Sequence, residues 1–136
     1  MSVVLDSSAA LSWHFEDEQT KSMLGLLQRV VESGAVVPSL WRYEVANGLQ
    51  VAVRRKRIDA AYRDRALANL AALDIACDAE SETHAWSATV RLAERHGLTV
   101  YDAAYLELAQ RRWLALATLD LTLARAAEAE GIEVAS

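Results

Sequence analysis

The chain has 136 residues, 53% hydrophobic and 24% charged, with 14 Lys plus Arg against 19 Asp plus Glu, a net charge of -5 and one cysteine, Cys77. That length suits a single domain, 1–136, whose core needs neither disulfides nor a structural metal, and a lone cysteine excludes a disulfide scaffold. Runs free of charged residues reach only nine residues, against about 20 for a membrane-spanning helix, and net acidity opposes generic polyanion binding unless the negative charge is concentrated in one place.

The opening Met-Ser-Val-Val-Leu-Asp carries no basic leader, so no membrane association and a cytoplasmic location are expected. The apolar run 3–5 predicts a buried first strand ending at Asp6. Met23, Leu24, Leu27, Val30 and Val31 recur at helical spacing within 20–32, and Gly34 then suits a left-handed helix cap before a second strand at 35–37. Pro38 and Ser39 open a helix over 40–55, with Ser39 as its N-cap. Ala66, Leu67, Leu70 and Leu73 mark an amphipathic helix over 60–73, followed by a short strand at 75–76. A helix over 80–96 stops at Gly97, and Thr99 caps the next, 100–112, with Asp102 in the capping-box place. A strand at 114–118, a helix over 121–130, Gly131 and a last apolar run at 132–134 complete the chain.

Short continuous apolar runs separated by helices imply a parallel sheet covered on both faces. The expected class is α/β, Rossmann-like in the broad sense, with about five short strands. In such sheets ligands bind beyond the carboxyl ends of the strands. Asp6, Glu44, Asp102 and Asp120 all fall there. One strand-end acid means little, and Asp102 alone reads as a cap. Four at one edge would repel one another unless they share a cation. An all-oxygen donor set selects a hard cation such as Mg2+ or Mn2+. The chemistry implied is metal-assisted phosphodiester hydrolysis, in which a bound water becomes the nucleophile and the leaving oxygen is stabilised. Setting these four aside leaves 15 acids against 14 cations, so nearly all the excess negative charge is assigned to one site.

The blocks VVLDSSAALSWHFEDE, PSLWRYEVANGL, LTVYDAAYLELA and LATLDLTLARAAEAEGI resemble, in order and spacing, those of PIN-domain proteins, specifically the VapC-type ribonuclease toxins of toxin–antitoxin modules. The resemblance spans nearly the whole chain. It implies a single PIN domain and makes Asp6, Glu44, Asp102 and Asp120 the acidic quartet, with Asp6 and Asp102 as direct ligands of Mg2+ or Mn2+ and Ser8 and Thr118 in support. It further implies an endoribonuclease acting as a toxin, a homodimer, a cognate antitoxin across the active-site face, and a structured RNA substrate such as transfer RNA. Leu121, Thr122 and Leu123 stand where many relatives carry another acid or amide, so the number of metal ions stays open.

Other features carry less. The run Arg54-Arg55-Lys56-Arg57 suits either phosphate contact or a helix C-terminus. Arg42 is expected to pair with a neighbouring acid, and Arg111-Arg112 to mark a helix end. His14, His84 and His96 lack zinc-ligand spacing. Trp13, Trp41, Trp86 and Trp113 are expected to pack in the core or a dimer interface, with Trp13 and Phe15 the best candidates for a docking surface. Two rival readings are a phosphoryl-accepting, receiver-like signalling module and a catalytically silent PIN-like binding protein. The receiver would want paired acids after the first strand and a late lysine, whereas Asp6 precedes Ser7-Ser8 and the last lysine is Lys56. No G-x-S-x-G elbow, Walker loop or GxGxxG is present.

Overall fold

The computed structural model describes residues 2–135. It is α/β, with five parallel strands: β1 (Val3–Leu5), β2 (Ala35–Val37), β3 (Ile75–Cys77), β4 (Ala115–Ala117) and β5 (Val134–Ala135), ordered β3-β2-β1-β4-β5. Seven α-helices accompany them among the described residues: α1 (Ser7–Ser12), α2 (Lys21–Ser33), α3 (Leu40–Arg54), α4 (Ala60–Ala71), α5 (Val90–His96), α6 (Val100–Arg112) and α7 (Leu121–Ala129). Successive strand residues point to opposite faces, and Val3, Val4 and Leu5 are all fully buried. Both faces of the central strand are therefore covered, which explains why its sequence reads as a continuous apolar run. At the edge, Ala76 and Cys77 of β3 are exposed.

The chain order fixes where a site can form. From β1 the chain moves to β2 and β3 on one side and returns through β4 on the other, so the order reverses between β1 and β4. Their carboxyl ends flank a crevice of the kind where open α/β sheets place ligands. The register pairs Leu5 with Ala117, and the Asp6 amide donates to the Ala117 carbonyl at 3.0 Å. The residues immediately after both strands thus meet side by side. Helix α6 packs across β1 and β4 and buries Ala103 and the whole run Tyr105–Ala109.

Several local expectations change. The segment 7–12, for which the sequence pattern gives no element, forms α1, because Asp6 caps it by accepting from Ala9 N at 2.9 Å. Ser39 is itself helical in backbone and does not cap α3; its hydroxyl donates to Glu82 at 2.9 Å. Thr99 does cap α6, accepting from Asp102 N at 3.1 Å. The buried stripe of α2 is Met23, Leu26 and Val30, while Leu24 and Val31 face solvent. The region 80–96 is not one helix: a 3-10 turn at Ser81–His84 and a π-helical stretch at Ala85–Thr89 precede α5. The last strand starts two residues later and ends one later than expected, at 134–135. Gly97 adopts the left-handed cap conformation, φ 64 and ψ 34, but Gly34 has φ 76 with an extended ψ of 179. A Cβ there would lie 3.0 Å from the Asp74 carbonyl oxygen, so the α2–β2 join needs glycine twice over.

The tryptophans divide. Trp13 and Trp41 are buried, whereas Trp86 and Trp113 are 96% and 86% exposed. Trp13 and Phe15 belong to the core; the Trp13 indole donates to Met23 O at 2.8 Å. Among the described residues Arg42 makes no ion pair. Arg111 is far more than a helix end. Its guanidinium bonds Glu107 and Asp78, both at 2.7 Å, and reaches Glu80 at 3.3 Å, tying the end of α6 to the loop after β3.

Candidate active site

Asp6 is the fixed point of the crevice. Its backbone stands at the end of β1, its side chain is buried, and both carboxylate oxygens are held by protein donors. Oδ1 accepts from Ser8 Oγ at 2.8 Å and from Ala9 N at 2.9 Å, and Oδ2 accepts from the Thr118 hydroxyl. Thr118 and Ser8 are in turn fastened to the β4–α7 turn, Thr118 Oγ1 accepting from Asp120 N at 3.0 Å and Ser8 Oγ from Leu119 N at 3.0 Å. Burial pushes the Asp6 carboxyl up to about 6; the three hydrogen bonds pull it back in part, and the Asp102 charge opposes ionisation further.

Asp102 faces this carboxylate from the first turn of α6. Burial, and after it the charge of Asp120, raises its pKa. Asp120 opens α7, its Oδ1 accepting from Thr122 N at 2.9 Å and Leu123 N at 3.1 Å. The other carboxylate oxygen makes no hydrogen bond to the described residues. Glu44, in the second turn of α3, accepts from the Tyr105 hydroxyl through Oε1. Burial, reinforced by Glu44 and Asp6, drives the Tyr105 phenol well above its usual range, so it stays a donor.

The residues singled out in the sequence therefore form one electrostatically connected series, from Glu44 through Tyr105 to Asp6, Asp102 and Asp120. Tyr105 was missed. Its signal was a phenol three residues after Asp102, on the same face of a helix whose interior is otherwise apolar.

The donor set is all oxygen. Among the described residues no three His, Cys, Asp or Glu side chains already close around one point. Such a loose arrangement suits Mg2+, which keeps several waters and takes only one or two carboxylates besides substrate phosphate. A buried carboxylate held against its tendency to protonate, facing a second one, has the polarity that a divalent cation satisfies. A concavity of about 460 Å3 lined by His14, Phe15, Arg57, Tyr62 and Arg65 contains none of the four acids. The acids lie instead at the strand-end crevice, where carboxylate chemistry rather than volume marks the site.

Comparison with known proteins agrees with the fold. A PIN domain family model matches residues 3–129. Ribonuclease VapC3 of Pyrobaculum aerophilum is 32% identical over 124 residues, covering 91% of this chain and 93% of that protein. Ribonuclease VapC9 of Mycobacterium tuberculosis is 33% identical over 129 residues, covering 94% and 93%. Among solved structures, the crystal structure of PAE2754 from Pyrobaculum aerophilum matches with a TM-score of 0.68 at 23% identity, over 93% of this chain and 84% of that one, a likeness of fold.

Proposed function

Because the chain belongs to the PIN domain family and within it to the VapC type, we propose that it is a Mg2+- or Mn2+-dependent endoribonuclease, the toxin of a toxin–antitoxin pair. The observation that carries this reading is Asp6: a buried carboxylate fixed by Ser8, Ala9 and Thr118 and opposed by Asp102 at the β1–β4 crevice.

In this reading Asp6 and Asp102 are the principal metal ligands, and Asp120 and Glu44 complete the acidic site. A divalent cation bound there supplies Lewis acidity to the attacking water and to the leaving oxygen. The protein supplies the placement. Ser8 and Thr118 keep Asp6 aimed into the crevice and prevent it from rotating to cap α1 with both oxygens. Asp120 spends one oxygen on the first turn of α7 and leaves the other for the site. Glu44, held by Tyr105, orients a water and takes up its proton as the water attacks phosphorus. The P–O bond to the departing nucleotide breaks on the opposite side of phosphorus, and the departing oxygen takes a proton from solvent water. A water nucleophile does not use the 2′-hydroxyl, so preference for RNA must come from surfaces around the acids.

The partners that follow are an antitoxin protein, an RNA such as transfer RNA, and a second copy of the chain. Asp102→Asn keeps the Thr99 cap, which uses the backbone amide. It is expected to keep the fold and lose at least 100-fold in RNA cleavage; removing a group placed for transition-state charge costs about 10²–10³. An unaltered rate in folded Asp102→Asn protein overturns the assignment. Expression of the wild type without an antitoxin should arrest growth, and harmless accumulation of folded protein counts against a toxin.

A further inference from the structure

The four cations at 54–57 differ in their commitments. Arg57 is occupied: Nη2 pairs with Asp17 at 2.9 Å and Glu18 at 3.3 Å, and its guanidinium lies 4.3 Å from the Phe15 ring centroid. Arg54, Arg55 and Lys56 are exposed and, among the described residues, have no carboxylate partner. A helix C-terminus favours cations only within its last turn, which accounts for Arg54. Lys56 lies past the helix with φ 61, a left-handed backbone held by Lys56 N to Val53 O at 3.0 Å and Arg57 N to Ala52 O at 2.9 Å. The turn therefore projects three free positive charges from a protein whose net charge is -5.

Arg54 also ends a stripe. Tyr43, Asn47, Gln50 and Arg54 stand at i, i+4, i+7 and i+11 on α3, which places them on one face, and all four are exposed while Trp41, Val45, Leu49 and Ala52 are buried. Tyr43 adjoins Glu44 and is 81% exposed. Eleven helical residues span about 16 Å, which matches roughly four to five phosphates of a stacked strand at about 3.4 Å each.

We propose that this stripe is a track for unpaired RNA. Tyr43 stacks on a base beside the acidic site, Asn47 and Gln50 line the path, and Arg54, Arg55 and Lys56 hold backbone phosphates at its far end. The proposal rests on the ribonuclease reading, which places a phosphodiester at the carboxylates, and Tyr43 at the head of the stripe is the chain neighbour of Glu44. An exposed phenol needs an open base face, which a duplex does not offer. The polar middle of the stripe and its cationic end suit a polyanion better than an apolar protein surface.

The test is fluorescence anisotropy with a labelled, unstructured 12-nucleotide RNA in Mg2+, using full-length protein carrying Asp102→Asn to prevent turnover. Tyr43→Ala should weaken binding roughly 5- to 100-fold, the range set by base–aromatic stacking, and Tyr43→Phe should restore it. The triple change Arg54→Gln, Arg55→Gln and Lys56→Gln should lower the slope of log affinity against log salt by about 2, at about 0.7 per phosphate contact. Affinity for a blunt RNA duplex should not respond to Tyr43→Ala. Unchanged affinity and salt slope in folded variants overturn the track, as does a changed oligomeric mass with RNA binding intact, which assigns the stripe to a protein contact. The two readings fail separately. Wild type that binds RNA through the stripe yet cuts none sinks the nuclease and supports the track; wild type that cuts RNA while every variant binds equally sinks only the track.

Discussion

Replacing Asp6 by Asn tests the electrostatics of the site without any assumption about substrate. Asp6 titrates at about 6 in the fold against an ordinary 3.8, so its ionised form is disfavoured by the protein. An acid raised in this way contributes fully to stability below its unfolded pKa and loses that contribution as pH rises through the folded one. A shift of roughly two units at about 1.4 kcal/mol each puts the loss above pH 6 near 3 kcal/mol. Asn keeps an oxygen for Ala9 N and Ser8 Oγ and can donate to Thr118, and the weakening of those bonds once the charge is gone is already contained in the raised pKa. The expectation at pH 7.5 in EDTA is a gain approaching about 3 kcal/mol, which is roughly 9–12 °C in Tm for a chain of this size. The gain should shrink through pH 6 and vanish below pH 4, where wild-type Asp6 is itself neutral. Saturating Mg2+ at about 100 times its Kd should stabilise the wild type by about 2.7 kcal/mol and leave Asp6→Asn nearly unmoved. Thermal melts of both proteins across pH, with and without Mg2+, measure all of this. Equal or lower stability of the variant at pH 7.5, or the same increment at pH 4, refutes the reasoning.

Tyr105→Phe removes the hydroxyl that holds Glu44 while keeping the buried ring. Turnover should fall roughly 10- to 100-fold, the scale of a misplaced reacting group, with KM nearly unchanged, and steady-state kinetics on an RNA substrate decide it. Arg111→Met leaves Asp78 and Glu107 buried without their partner. Urea unfolding should show a loss of about 2–4 kcal/mol, below the 3–5 typical of a fully buried pair because the guanidinium is partly exposed. Burial alone would raise the Asp78 pKa, but the Arg111 and Ser81 hydrogen bonds outweigh it and hold it low. The stabilisation is therefore present above the ordinary carboxylate pKa and is lost as pH falls through the depressed value. The gap between wild type and Arg111→Met should close in acid, and a gap constant with pH contradicts the role given to this pair.

The strands and the four acids were legible because both follow from local pattern. Buried parallel strands must be apolar at every position, and strand-end placement is read directly from where those runs stop. What was not legible depends on partners distant in sequence. Arg111 looks like a helix terminus until Asp78 is brought beside it, and Tyr105 like core packing until Glu44 arrives from α3. Ser39 shows the reverse failure, since a suitable cap residue was diverted to Glu82, 43 positions away. Leu24 and Val31 sat at plausible helical spacing, yet the core takes Met23, Leu26 and Val30, and periodicity alone does not choose between stripes one residue apart. Trp86 and Trp113, expected in the core or a dimer interface, lie outside the core of the single chain, because helical spacing marks an apolar face without saying what covers it.

The bond between Thr118 and Asp6 closes a loop of 112 residues. No shorter stretch of the chain brings these two side chains together, because β4 pairs with β1 only after α2 through α6 have been laid down. A ribosome making this protein thus emits Asp6 first and the group that aims it almost last. During synthesis the first acid is an ordinary solvated carboxylate, and the acidic centre comes into being as a single late event. On the ribonuclease reading proposed above, that timing separates the machine that makes the chain from the activity of the finished one.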